Sequence, residues 1–183
     1  MSDPATQPQL ADWQQAVVDS SDRYLIVQAG PAAGKTHAVL SAIAKRVTEN
    51  ADYTCVYCGH KPQRAADMLT DMLLPMHAYS ITRTGGQQPS IHLGNGSRVE
   101  FISSPADAQG LRLGHATVDK DVPVDVRLLS VLAQDGITLT LSDRWSIIKP
   151  DPGWYAKQWE KRFPDLPEHE RRRMYEGNWS EAE

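Results

Sequence analysis

QAGPAAGKTHAVL, residues 28–40, is the stretch on which the reading of this chain turns. It follows an apolar run, Tyr24-Leu25-Ile26-Val27, and leads into a pattern with Val39, Ala42, Ile43 and Val47 at helical core spacing. Ala29-Gly30-Pro31-Ala32-Ala33-Gly34-Lys35-Thr36 fits a phosphate-binding loop: a small residue, four of any kind, then Gly-Lys-Ser/Thr. Small residues let backbone N–H groups close around phosphate oxygens, and the following helix turns its positive end toward them. Lys35 would neutralise the β- and γ-phosphates, and the Thr36 hydroxyl would ligate Mg²⁺. All eight residues from Ala29 to Thr36 are therefore assigned to ATP.

Binding is not hydrolysis. A hydrolase also needs an acid at the end of a neighbouring strand for Mg²⁺, and a carboxylate to orient the attacking water. GHATVDKDVP, residues 114–123, supplies the first: Asp119 follows Ala116-Thr117-Val118 and is the candidate metal carboxylate. The residue after it, where a glutamate is expected, is Lys120. A cation cannot accept a proton from water, so Asp121 is the substitute candidate.

Around the loop, strands alternate with helices. Helical spacing covers residues 10–20, 36–49, 63–78 and 124–133, with Met72 and Met76 of the third turned inward. Strands are expected at residues 24–28, 53–57, 116–119 and 137–141. Ile91, Leu93, Val99 and Phe101 alternate about Gly94-Asn95-Gly96-Ser97, a strong hairpin signal, and residues 104–114 read as a loop or short helix. The fold class is α/β: a phosphate-loop NTPase with a mostly parallel sheet flanked by helices and one antiparallel hairpin. Residues 1–8 read as a flexible tail, 9–150 as the ATPase core and 151–183 as a small helical subdomain.

The chain has 183 residues and a net charge of −4, which argues against a protein that coats nucleic acid by bulk charge. No apolar run is long enough to span a bilayer and the N-terminus lacks a signal peptide, so an intracellular, non-membrane protein is expected. Cys55 and Cys58 form a CxxC on an expected strand, where residues three apart face opposite ways. Buried thiols, not a metal or redox pair, are expected there.

With these residues in place, the chain resembles the ATPase domain of viral large terminases, the motors that package DNA into procapsids. The phosphate loop, IHLGNGSRVEFISS, GLRLGHATVDKDVP, DGITLTLS and RFPDLPEHERRRMYEGNW follow one another in that family's order. The resemblance covers nearly all of residues 9–180. It implies that Gln14 or Gln15, with Gln15 preferred, reads adenine. It implies that Ser142, with or without Thr140, senses the γ-phosphate. It also implies that Arg112 reaches a neighbour's nucleotide in a ring of subunits, the alternative being a salt-bridged surface arginine. Two departures stand out: Pro31 lies where many terminases carry arginine, and Lys120 where they carry glutamate.

The partners implied are double-stranded DNA, a portal protein, a small terminase subunit and further copies of this chain, in the cytoplasm of an infected host. A separate nuclease is a further candidate partner. No Asp/Glu cluster follows residue 179, so nuclease activity is not expected, and the chain reads as a separate ATPase subunit or a truncated piece. Arg171, Arg172 and Arg173 are the candidate DNA contacts of a C-terminal segment with six basic and eight acidic residues from 151 onward. A nucleotide-binding assembly subunit with weak hydrolysis and a helicase-like or repair ATPase are the competing functions.

Overall fold

A computed structural model describes residues 10–21, 24–29, 33–76, 80–119, 122 and 138–143. They build one seven-stranded sheet with three helices. The strands are β1 Tyr24–Gln28, β2 Thr54–Cys58, β3 Ile81–Thr84, β4 Ser90–Leu93, β5 Arg98–Ile102, β6 His115–Asp119 and β7 Thr138–Asp143. The helices are α1 Asp12–Asp19, α2 Lys35–Glu49 and α3 Pro62–Leu73. Strand order is β1-β7-β6-β2-β5-β4-β3. The pairs from β1 to β5 are parallel, and β5-β4 and β4-β3 are antiparallel. The α/β class and the antiparallel hairpin expected from the sequence are therefore present. The expected helices at 124–133 and beyond 150 lie outside the described residues.

Side chains alternate across the sheet, so the strands feed two cores. On one face, Leu25, Val27, Cys55, Tyr57, Ile91, Leu93, Val99 and Phe101 meet Trp13 and Val17 of α1, the apolar stripe of α2, and Ala65, Leu69 and Leu73 of α3. On the other, Val56, Cys58, Ile102, Ala116 and Val118 pack with Ala108 and Val122. Cys55 and Cys58 thus lie on opposite faces, both as free thiols, and burial pushes each up to about 12. They are inert core residues, as the strand parity predicts.

α3 is shorter than its apolar pattern suggested. It ends at Leu73 and passes into a 3₁₀ turn, Leu74–Met76. Pro75 is the reason: its ring clashes with the preceding turn and it has no N–H to donate. Met76 is consequently exposed, contrary to the inward placement expected of it, while Met72 packs partly buried against the core as expected. β3 has no alternating apolar pattern and was not apparent in the sequence; it is recruited by the Leu93–Ser90 edge of β4. No helix among the described residues is long and apolar enough to cross a membrane.

The Asn-Gly turn between β4 and β5 does more than reverse the chain. Asn95 Nδ2 donates to the carbonyls of Val47 (2.8 Å) and Asn50 (3.1 Å), closing the C-terminal end of α2. Ser97 Oγ donates to Asn50 O (2.6 Å) and accepts from Tyr53 N (3.0 Å). Gly96 takes a left-handed φ of +86°, and a Cβ there would sit 2.0 Å from Asp52 Oδ1. The hairpin tip is clamped onto the α2–β2 connection.

One buried polar residue on β6 makes stability depend on pH. His115 is fully buried, Nε2 lies 3.0 Å from Thr117 Oγ1, and Nδ1 has no hydrogen-bond partner among the described residues. Burial lowers its pKa from 6.5 to about 3. Between those values the unfolded chain binds a proton that the native state does not, so stability falls as pH drops from 6.5 toward 3. Urea unfolding between pH 7 and pH 5 is expected to show this loss, with a limiting slope of about 1.4 kcal/mol per pH unit. His115→Leu should flatten that component of the slope.

Candidate nucleotide and metal site

The sheet topology brings the predicted site together by register. β7 lies between β1 and β6, so Val27 pairs with Ser142, and Ser142 with Asp119. The end of the strand that leads to the loop, the predicted sensor position and the predicted metal carboxylate therefore occupy one rung at the C-terminal edge of the sheet. Open α/β sheets place ligands at that edge.

α2 begins at this rung. Gly34 is its N-cap, with φ +96°, a left-handed value that a Cβ would strain. The turn delivers Lys35 and Thr36 as the first two helical residues, where the helix dipole favours an anion. Lys35 is buried, and its ammonium donates back to the Ala29 carbonyl, closing the ends of the loop on one another. Gly30, Pro31 and Ala32, assigned to the same loop, lie outside the described residues, as do Lys120 and Asp121. Ala33 is buried in the core.

The structure sets the two glutamines offered for adenine in different surroundings. Gln14, not Gln15, belongs to the loop. Gln14 is buried; its Nε2 donates to Gly34 O (3.3 Å) and its Oε1 accepts from Ala11 N (3.0 Å). A Cβ on Gly34 would sit 2.6 Å from Gln14 Nε2, so glycine is required there by the neighbour as well as by φ. Gln15 is one residue further round α1, exposed, and donates to Asp19 Oδ2 (2.8 Å). A rotation of about 100° per residue separates the two faces.

Thr36 and Asp119, the two predicted metal ligands, are linked through a residue the sequence reading missed. Tyr57 of β2 pairs with Thr117, so its ring reaches diagonally to Asp119 on the same face. Its hydroxyl donates to Asp119 Oδ2 at 2.5 Å, and the Thr36 side chain lies beside it. A phenol has one proton, so with that proton on Asp119 the Thr36 hydroxyl would be the donor in any bond between the two. Burial, and then the Asp119 carboxylate, hold the phenol far above its ordinary pKa, so it stays a proton donor. The only sequence signal was an aromatic hydroxyl near a strand's C-terminal end; its partner depends on the pairing of β2 with β6.

A hydroxyl and a carboxylate drawn together at a helix N-terminus suit Mg²⁺. That ion takes one or two protein oxygens and completes its shell with water and phosphate. Thr36 and Asp119 would hold it. No group of three or more His, Cys, Asp or Glu side chains is arranged for a metal among the described residues.

Arg112 is elsewhere. It is exposed and lies before β6, whose first residue is about 13 Å from Asp119 at roughly 3.3 Å per step. Gly114 N donates to Thr54 O (2.9 Å), fixing this segment at the N-terminal edge of the sheet. Arg112 therefore starts from the opposite edge to its own subunit's loop.

No protein-family model and no curated protein matches the chain. Solved structures do match its fold. A variant of the Thermus phage P74-26 large terminase ATPase domain superposes with a TM-score of 0.61 at 13% identity, covering 92% of this chain and 94% of that one. The HK97 bacteriophage large terminase gives 0.57 at 16% identity over 88% of this chain. The large terminase of a thermophilic bacteriophage, in complex with ADP, gives 0.56 at 16% identity over 74%. The chain corresponds to 39% of each of the last two proteins. It shares the α/β fold of large-terminase ATPase domains.

The two glutamines separate experimentally. Gln14→Ala strips a buried cap and the tie to Gly34 and should cost about 1–3 kcal/mol in urea unfolding. Gln15→Ala, at an exposed position, should stay within about 0.5 kcal/mol of the native chain. Equal losses would place both side chains in the same environment and contradict the assignment.

Proposed function

We propose that this chain is an ATP-binding subunit of a DNA-packaging motor of the large-terminase kind, working in a ring with copies of itself. The observation that carries the reading is the convergence at one strand edge. The Lys35 ammonium closes on the first residue of its loop, and Thr36 meets Asp119 through one hydroxyl. The shared fold with terminase ATPase domains, one of them solved with ADP, supports the choice of nucleotide.

Bound ATP with Mg²⁺ supplies the phosphoryl group to be transferred. The chain's part is to hold and orient it. The ammonium of Lys35 would exchange its bond to the Ala29 carbonyl for phosphate oxygens, a charge-assisted and therefore stronger contact. Thr36 and Asp119 would face the cation, and Ser142, one rung away, would stand between them and β1. Gln14, at the α1 edge of the loop, takes the adenine-side position first given to Gln15. Lys120 stands where an acid would draw a proton from water, so turnover rests on Asp121 or on the assembled ring. For that reason a nucleotide-binding assembly role with slow hydrolysis is the second reading.

DNA, a portal protein, a small terminase subunit and a separate nuclease are the partners this reading implies, within an infected host's cytoplasm. Arg112 fits a role between subunits. Its position at the opposite sheet edge sets it apart from its own loop and leaves it exposed. An arginine supplied in this way offsets charge on the transferring phosphoryl group.

A fluorescent ATP analogue titrated against native protein and Lys35→Ala tests the site. The variant should lose about 1.5–3 kcal/mol for each charge-assisted hydrogen bond removed, and equal affinities would sink the assignment.

Arg112→Ala should bind the analogue as the native monomer does but lose assembly-dependent turnover. Mixing Arg112→Ala with Lys35→Ala creates interfaces where an intact loop meets an intact arginine, so activity should partly return. No rescue, with both variants still assembling, would mean that Arg112 acts within its own subunit or only structurally. Nucleotide-dependent assembly without turnover in the native chain selects the second reading.

A further inference from the structure

Tyr57 lies in no phosphate loop and at no strand end that the nucleotide reading requires, yet its hydroxyl touches both residues assigned to the metal. Packing alone does not explain that hydroxyl. The ring is already accommodated by Phe101, at a centroid distance of 6.0 Å and an interplanar angle of 44°, and a phenylalanine would fill the same space. A buried hydroxyl costs free energy unless it is hydrogen-bonded, and here it bonds Asp119 with Thr36 beside it. The neighbouring backbone is shaped to admit it. A Cβ on Gly59 would come within 2.6 Å of Tyr57 Cε1 and 3.1 Å of its hydroxyl oxygen. Gly59 is buried and its φ is not in the left-handed region, so its missing side chain serves the ring rather than a turn.

We propose that Tyr57 is a positioning residue for the divalent cation: its hydroxyl orients Thr36 and Asp119 as ligands. The proposal rests on the nucleotide reading above. A Thr36 proton directed at Tyr57 would turn the lone pairs of Thr36 away from it. The Tyr57 proton engages one Asp119 oxygen, which fixes the plane of the carboxylate. Partners of this kind orient ligands around a metal, and their loss weakens metal affinity more than it weakens the fold. Gly59 takes part indirectly, by leaving room for the ring that carries the hydroxyl.

The test separates metal from nucleotide. Fluorescent ATP analogue binding is measured in EDTA and then across a Mg²⁺ titration, for native protein, Tyr57→Phe and Gly59→Ala, with thermal unfolding of each. Tyr57→Phe keeps the ring and should bind within about twofold of native in EDTA, while its Mg²⁺ midpoint rises about 10–100-fold. Gly59→Ala keeps the hydroxyl but displaces the ring, so its Mg²⁺ midpoint should move the same way. An unchanged or lower midpoint in folded Tyr57→Phe overturns the proposal; if that variant does not fold, an unchanged midpoint in Gly59→Ala does so. An equal loss in EDTA and in Mg²⁺ also overturns it, since a merely structural role would lower both. Failure of the native protein to bind the analogue under either condition removes the nucleotide reading itself, a result visible without any variant.

Discussion

The position of α2 is the constraint on which the site depends, and it is fixed at both ends by residues from elsewhere in the chain. At its start, Gly34 adopts a backbone that only glycine takes readily, and Gln14 of α1 fills the space where a side chain would have been. At its end, Asn95 and Ser97 receive the carbonyls that a helix terminus leaves without partners. Between these anchors Val39, Ile43 and Val47 lie flat on the sheet with no measurable exposure beyond 1%. Lys35 and Thr36 have little freedom of position. Their chemistry follows from a helix that can neither slide nor rotate without breaking a cap.

Much of this was legible in the sequence, for reasons that differ from residue to residue. The phosphate loop was readable because its chemistry is local: eight consecutive residues carry the turn, the ammonium and the hydroxyl. The hairpin was readable because Asn-Gly between alternating strands is also local. Asp119 was readable as a strand-end acid. Tyr57 was not, because its meaning lies in the pairing of β2 with β6, which no neighbouring residue announces. That Gln14 rather than Gln15 lies against Gly34 was not legible for a related reason. Adjacent helical residues differ only in the face they present, and the face of α1 is set by Trp13 and Val17 entering the core. Helical spacing carried α3 too far because it took no account of Pro75.

The sheet divides its labour between its two sides. Tyr57, Thr117 and Asp119 share the side that α2 covers, while Val56, Cys58, Ala116 and Val118 on the other side are packing alone. The CxxC spacing illustrates the division. A three-residue step along a strand sends Cys55 to one side and Cys58 to the other, so a motif associated with metals elsewhere becomes two unrelated core contacts here. The hairpin tip belongs to this scheme as well. It looks like a surface turn, yet it governs the far end of the helix that presents the loop.

The strand order carries a consequence for how the chain acquires its shape. β1, which leads directly into the loop, pairs with β7 and with no other strand in the described sheet, so Tyr24 finds its partner at Leu139. The bonds that close the C-terminal end of α2 come from residues 45 to 48 positions away. Contacts this distant in sequence are slow to form, because the loop-closure entropy is lost before the contact repays it. As the chain emerges during synthesis, the loop's residues are made early but its supporting strand waits for the last described segment. The nucleotide site thus matures with the completed sheet, and a chain interrupted before β7 would carry the phosphate-loop sequence on an undocked strand.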